Sequence, residues 1–244
     1  MGALIAFFWG FVAGASLLIG ALIGLYVGAS QRVVSTVMSL GAGILISSVA
    51  FELMEKSFRV GGFDASAIGL GAGSLVYFAA DLAVSSRGAK HRKRSQGQQR
   101  EGSSTAIAIG ALIDGIPESM AIGIGLLGGH KVSAVMVAAV FLSNVPEGLS
   151  AASGMKKAGH STRYILGLWS GVVLLSAVSA SVGYVMLADA SGNVLGGIQA
   201  FAAGAILTML SSTMLPEAYE TGGAITGVLT TLGFLAAFVL GHLE

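Results

Sequence analysis

Residues 111–123 read ALIDGIPESMAIG and place Asp114, Pro117 and Glu118 in the middle of a long apolar segment. Residues 141–154, in the next apolar segment, read FLSNVPEGLSAASG and repeat the pattern with Pro146 and Glu147. An ionised carboxylate at the centre of a membrane helix costs roughly 2.5 kcal/mol or more. Acids at such positions therefore indicate a functional site, and each acid needs a partner that balances its charge.

The composition of the chain points to a membrane protein. Of its 244 residues, 54% are hydrophobic and only 10% are charged, whereas a soluble domain carries about 25% charged residues. The 37 glycines suit closely packed membrane helices. The absence of cysteine from the sequence excludes disulfides, thiolate metal sites and cysteine catalysis.

The apolar segments predict an all-α, polytopic membrane protein with eight transmembrane helices. We expect the first segment to be the first transmembrane helix and not a cleavable signal peptide. The chain then divides into helices 1–3 (1–85), a basic loop (86–102), proline-kinked helices 4 and 5 with the site (103–155), and helices 6–8 (156–244). The eight segments are 4–28, 33–55, 65–85, 103–127, 131–155, 163–187, 193–219 and 222–242.

The positions of Lys and Arg predict the orientation. Most of them fall in the loop 86–102 and in two other loops on the same side of the predicted membrane. The positive-inside rule puts these loops in the cytoplasm and both termini outside the inner (plasma) membrane. We interpret the basic loop as a topology signal or a contact with anionic lipid, not as a nucleic-acid site.

The chain also repeats itself weakly. The two Pro-Glu motifs lie on adjacent helices that we expect to be antiparallel, which makes them an inverted pair. GAGILISSVAFELME at 41–55 and AGAILTMLSSTMLPEA at 203–218 suggest a second pair. Inverted repeats around interrupted helices are typical of secondary transporters.

The two motifs predict an oxygen-rich cluster. Residues four apart share a helix face, and each proline frees the carbonyl four residues earlier. No Lys, Arg or His lies in the central part of any predicted segment. The acids are therefore protonated, hydrated or neutralised by a bound cation, and a bound cation is the most direct of these three explanations. Oxygen ligands suit hard or borderline divalent cations. The candidate ligands are Asp114, Glu118, Ser143, Asn144 and Glu147.

On these motifs the chain resembles the ZIP family of divalent metal transporters, in a divergent bacterial branch. The family motifs of helices four and five stand here as DGIPES and SNVPEG, and GAGILIS and MLPEA extend the resemblance along the chain. The resemblance implies eight helices in a 3+2+3 inverted repeat. It also implies elevator-type movement of zinc, manganese, iron or a similar divalent metal cation as the transported substrate. A homodimer in the membrane follows only by analogy.

The departures from the family pattern bear on the metal. Asp114 and Gly115 stand where the family has His and Asn, Ser143 replaces a His or Gln, and Leu174 and Leu175 replace a Glu-Pro pair of helix six. The resemblance therefore implies that the five candidate ligands hold one metal ion and not two metal ions. Loss of the imidazole should weaken the preference for zinc relative to manganese, iron or magnesium.

Other functions stay open at this point. A proton-coupled carrier of a different substrate would use the acids as a proton relay, and a non-transporting, regulatory ZIP homologue would fit the lost ligands. We do not expect an enzyme, because the chain lacks a pair of aspartates in intramembrane protease motifs and a Ser-His pair at membrane depth. Glu52, Glu55, Glu217 and Glu220 are interpreted as helix-end charges, with cation attraction at the two mouths as the alternative.

Overall fold

The computed structural model describes residues 1–89, 104–127 and 132–243, and throughout those ranges the regular structure is helical. The all-α prediction is confirmed for them. The helices are α1 (Gly2–Leu22), α2 (Gln31–Ser48), α3 (Glu55–Val84), α4 (Ser104–Gly125), α5 (Ala134–Lys157), α6 (Thr162–Met186), α7 (Gly192–Met209), α8 (Leu215–Gly222) and α9 (Ile225–Gly241). Most of the predicted basic loop, with His91, and also His130 and Lys131 lie outside the described residues.

Five helical stretches of the described chain are long and apolar enough to cross a membrane, so the chain is a helical, membrane-embedded protein. One of them, Gln31–Arg87, is 57 residues long and contains the second and third predicted segments. The other four are Gly2–Val27, Ala134–Lys157, Thr162–Met186 and Gly192–Gly222. Large apolar side chains such as Leu75 and Phe78 are exposed on the outer faces, as lipid contact requires.

The starts of three helices follow from local sequence. Ser30, Ser133 and Ser161 precede α2, α5 and α6, and the hydroxyl oxygen of each accepts a hydrogen bond from the backbone N–H three residues later, at 3.1–3.3 Å. A serine in this position satisfies one of the backbone donors left open in the first helical turn. These caps fix where the membrane helices begin.

Within the described residues, four helices end in a short π-helical segment. These segments are Ile23–Val27 after α1, Val49–Met54 after α2, Ser85–Ala89 after α3 and Leu210–Met214 after α7. The segments after α2 and α7 occupy equivalent places in the two sequence repeats, GAGILISSVAFELME and AGAILTMLSSTMLPEA. π-Helical turns are rare and are found mostly at functional sites.

The reversal between α2 and α3 occurs at Gly62, inside α3. The second predicted segment ends at residue 55 and the third starts at residue 65, but helical structure runs without a gap from Gln31 and breaks at Gly62, with φ 74° and ψ −176°. Gly223, between α8 and α9, has nearly the same conformation, with φ 62° and ψ −148°. This region of backbone space is accessible essentially to glycine alone, so the two glycines determine where the chain turns.

The helices pack as two sets. In one, which we call the α4 set, α1 lies against α5 and α6, and α4 lies against α6. In the other, the α3 set, α3 pairs with α7 and α2 pairs with α9. The sets meet where α2 contacts α5 and where α4 contacts α7 and α3.

Glycines bring the paired helices into backbone contact. A Cβ atom built on Gly43 of α2 would stand 1.9 Å from the carbonyl oxygen of Thr230 in α9. A Cβ on Gly204 of α7 would stand 2.1 Å from the carbonyl oxygen of Leu70 in α3. Small residues at such crossings allow close packing where lipid offers no hydrophobic driving force between helices.

Candidate cation site in helices α4 and α5

Helices α4 and α5 continue through their prolines. Pro117 lies inside the 22-residue α4, and Pro146 lies inside the 24-residue α5. Neither proline therefore divides its helix into two. Pro216, in contrast, lies in the first turn of α8 with Glu217, the ordinary position for a proline at a helix start.

The candidate acids are buried in the protein and do not face lipid. The exposed fraction is 3% for Asp114, 1% for Glu118 and 7% for Glu147. Ser143 and Asn144 are buried as well. The first condition for a cation site inside the membrane, that its polar groups turn away from the hydrocarbon, is thus met by all five predicted ligands.

Asp114 has a hydrogen-bond partner that the sequence analysis missed. The hydroxyl of Tyr77, from the C-terminal part of α3, donates to Oδ1 of Asp114, and both side chains are buried. A buried tyrosine hydroxyl usually finds a partner, and this general rule was the only available signal, because Tyr77 belongs to no motif. The hydrogen bond ties α4 to α3, and so joins the two helix sets at the candidate site.

Ser143 uses its hydroxyl proton within α5. Its Oγ donates to the carbonyl oxygen of Val140 at 3.0 Å. A hydroxyl that donates in this way keeps lone pairs that can accept or coordinate. The backbone of α2 passes closely here, because a Cβ on Gly41 would lie 3.1 Å from the Cα of Ser143.

The structure does not gather the acids into a three-residue centre. Within residues 1–89, 104–127 and 132–243, no three His, Cys, Asp or Glu side chains lie close enough together to hold a metal ion. The packing of α4 gives the reason: this helix lies mainly on α6, with Gly123 against the carbonyl of Ala180, and makes few contacts with α5. The five-ligand set therefore remains a prediction.

A small cleft of about 20 Å³ opens at the end of the molecule that holds Glu52 and Lys56. It reaches Ala121 and Ile122, one turn beyond Glu118 on α4. Gln199 of α7 also lines it, is 8% exposed, and has no partner for its Oε1 among the described residues. The sequence analysis missed Gln199 because an amide at a helix interface carries no motif.

The acids near the start of α3 are paired along the helix. Lys56 Nζ lies 2.6 Å from Glu52 Oε2, and Arg59 pairs with Glu55. Ion pairs between residues four apart on an exposed helix contribute about 0.3–0.5 kcal/mol each. This pairing agrees with the interpretation of Glu52 and Glu55 as helix-end charges.

Comparison with known proteins adds no evidence on the family of this chain. No family model matches the chain, and no curated protein matches it. The resemblance to ZIP transporters therefore rests on the two Pro-Glu motifs and the segments quoted with them.

Proposed function

We propose that this chain is a ZIP-like secondary transporter that moves a divalent cation (zinc, manganese or iron) across the membrane by alternating access. The proposal includes eight membrane spans in a 3+2+3 inverted repeat, with both termini outside the cytoplasm. The observation that carries it is the burial of Asp114, Glu118 and Glu147 midway along two apolar helices.

The chemistry of the buried groups favours a cation as the cargo. The sequence places no Lys, Arg or His in the central part of the predicted spans to balance the three acids. Carboxylate, amide and hydroxyl oxygens are ligands for magnesium, manganese and similar ions. Zinc usually takes His or Cys alongside carboxylate, so manganese and iron fit this set of side chains better than zinc.

Matching backbone turns and contacts support the inverted repeat. In the α2–α9 contact at Gly43 and in the α7–α3 contact at Gly204, the glycine lies directly against a backbone carbonyl oxygen of the paired helix. Gly62 and Gly223 turn the chain in the same way. The sequence separation from Gly43 to Gly204 is the same as that from Gly62 to Gly223.

Two hydrogen bonds extend the same correspondence. Ser57 Oγ donates to the carbonyl oxygen of Gly196 at 2.7 Å, and Ser35 Oγ donates to the carbonyl oxygen of Ala218 at 2.6 Å. Residues 35 and 57 stand before residues 196 and 218 by the same sequence separation as the glycine pairs. Repeated units that pack alike are the basis of alternating access in many carriers.

The two helix sets supply the moving parts that alternating access needs. The α4 set holds all five candidate ligands, and the α3 set packs on it through α2, α3 and α7. Movement of the first set past the second would carry the bound cation from one side of the membrane to the other. The small residue Gly41, opposite Ser143, suits a surface on which helices slide.

Uptake by proteoliposomes tests the function. We expect a Glu118→Gln, Glu147→Gln double variant to lose Mn²⁺ uptake at least about tenfold, because a site left with one of its three carboxylates binds a divalent cation weakly. Glu55→Gln is the matched control, since Glu55 is paired at the exposed start of α3. Equal uptake by the double variant and the wild type would end the proposal. Proton flux without any cation uptake would favour the proton-coupled carrier instead.

A further inference from the structure

The Tyr77 hydroxyl belongs to a firmly held part of the α3 set. One turn earlier on α3, a Cβ atom on Gly73 would stand 1.9 Å from the carbonyl oxygen of Phe201 in α7. The side chain of Tyr77 itself is 3% exposed and packs in the main apolar core. Its hydroxyl is therefore a fixed point from which a hydrogen bond can orient a group on α4.

The group that it orients is a candidate cation ligand. Tyr77 donates to Oδ1 of Asp114, and a hydrogen bond to an ionised carboxylate is stronger than one between neutral groups. The bond holds the carboxylate in one orientation and draws negative charge from Oδ1. The second oxygen of Asp114 thereby becomes the better ligand for a cation.

We propose that Tyr77 is a positioning residue that biases Asp114 towards coordination through a single oxygen and so favours small divalent cations over Ca²⁺. This inference rests on the proposed function. Ca²⁺ takes about six to eight oxygens and commonly uses both oxygens of a carboxylate, whereas Mg²⁺ demands compact octahedral geometry. A carboxylate limited to one oxygen disfavours the ion that needs more ligands.

The test is cation binding by the purified full-length chain, with Mn²⁺ measured directly and Ca²⁺ as the competitor. Tyr77→Phe removes one oxygen, and loss of such an outer hydrogen bond typically weakens metal affinity about 10–100-fold. This loss should fall on Mn²⁺, which uses the oriented oxygen, and not on Ca²⁺, which can then use both oxygens of Asp114. We therefore expect the ratio of Mn²⁺ to Ca²⁺ affinity to fall by about tenfold or more. Tyr26→Phe is the matched control, because Tyr26 is exposed at the end of the first helical stretch, and it should keep the wild-type ratio.

The outcomes separate this inference from the proposed function. A smaller change of the ratio in Tyr77→Phe, in a wild type that binds Mn²⁺, overturns the role of Tyr77 and leaves the transporter proposal standing. A wild type that binds neither cation overturns both.

A second variant shows whether Tyr77 acts through Asp114. In an Asp114→Asn background, Tyr77→Phe should change the affinity ratio no further, and an undiminished effect there contradicts the proposal.

Should Tyr77→Phe not fold, infrared difference spectra of the wild type and of Asp114→Asn, each with Mn²⁺, show whether Asp114 coordinates the cation through one carboxylate oxygen or two. Single-oxygen coordination by Asp114 is expected, and two-oxygen coordination overturns the proposal.

Discussion

Gly43 lies directly against the carbonyl oxygen of Thr230, at a distance that leaves no room for a side chain: a Cβ atom would stand 1.9 Å away. The obstacle is backbone, which cannot rotate aside as a flexible side chain can. The close packing of α2 on α9 therefore requires glycine, which has no Cβ atom, at residue 43. The same holds for α7 on α3 at Gly204, where the obstacle is the carbonyl oxygen of Leu70 at 2.1 Å.

Gly43→Ala should destabilise the protein. Extra carbon in a closely packed contact costs typically about 1–3 kcal/mol, and here it forces α2 and α9 apart. Thermal unfolding of the detergent-solubilised chain measures the effect. Gly71→Ala is the matched control, because a Cβ at Gly71 in α3 meets nothing within 4 Å, and alanine there raises helix propensity. Equal melting temperatures for the two variants would show that the α2–α9 contact is looser than described.

Gly62→Ala should also destabilise the protein, for a reason of backbone conformation and not of space. Nothing lies within 4 Å of a Cβ at Gly62, but its φ of 74° and ψ of −176° are essentially restricted to glycine. Residues held in such conformations cost about 1–3 kcal/mol. We expect a similar loss for Gly223→Ala, again measured by thermal unfolding.

The control for these two substitutions is Gly227→Ala in α9, which has open space around it and an ordinary helical φ. It should unfold at or above the wild-type temperature. A wild-type melting temperature for Gly62→Ala would mean that the chain turns at another residue.

Much of the fold follows from local sequence. The apolar segments predicted the helical stretches Gly2–Val27 and Thr162–Met186 within a few residues, because membrane helices need long apolar runs whatever their neighbours. The burial of Asp114 and Glu118 could be predicted in the same way, since charge facing lipid is costly. These features depend on each segment's own composition.

Features that depend on partner helices could not be predicted. The hydrogen bond from Tyr77 to Asp114 exists because α3 and α4 meet at these two residues, which lie 37 positions apart in the chain. The arrangement of α4 on α6, and its sparse contact with α5, follows from glycine contacts such as Gly123 with Ala180. Motif spacing along one helix shows which residues share a face, but not which helix that face meets.

Gln199→Met should stabilise the protein and impair uptake. The Oε1 of Gln199 is buried in the cleft without a partner among the described residues, and an unsatisfied buried acceptor costs about 1–3 kcal/mol. Methionine keeps the shape and removes that cost, so the melting temperature should rise.

If a cation reaches Glu118 through this cleft, loss of the amide oxygen should also lower Mn²⁺ uptake at sub-saturating concentration. Gln31→Met, at the start of α2 and outside the cleft, is the matched control for the uptake measurement. A lower melting temperature for Gln199→Met would contradict the prediction, because it would mean that the amide oxygen is satisfied in the folded protein.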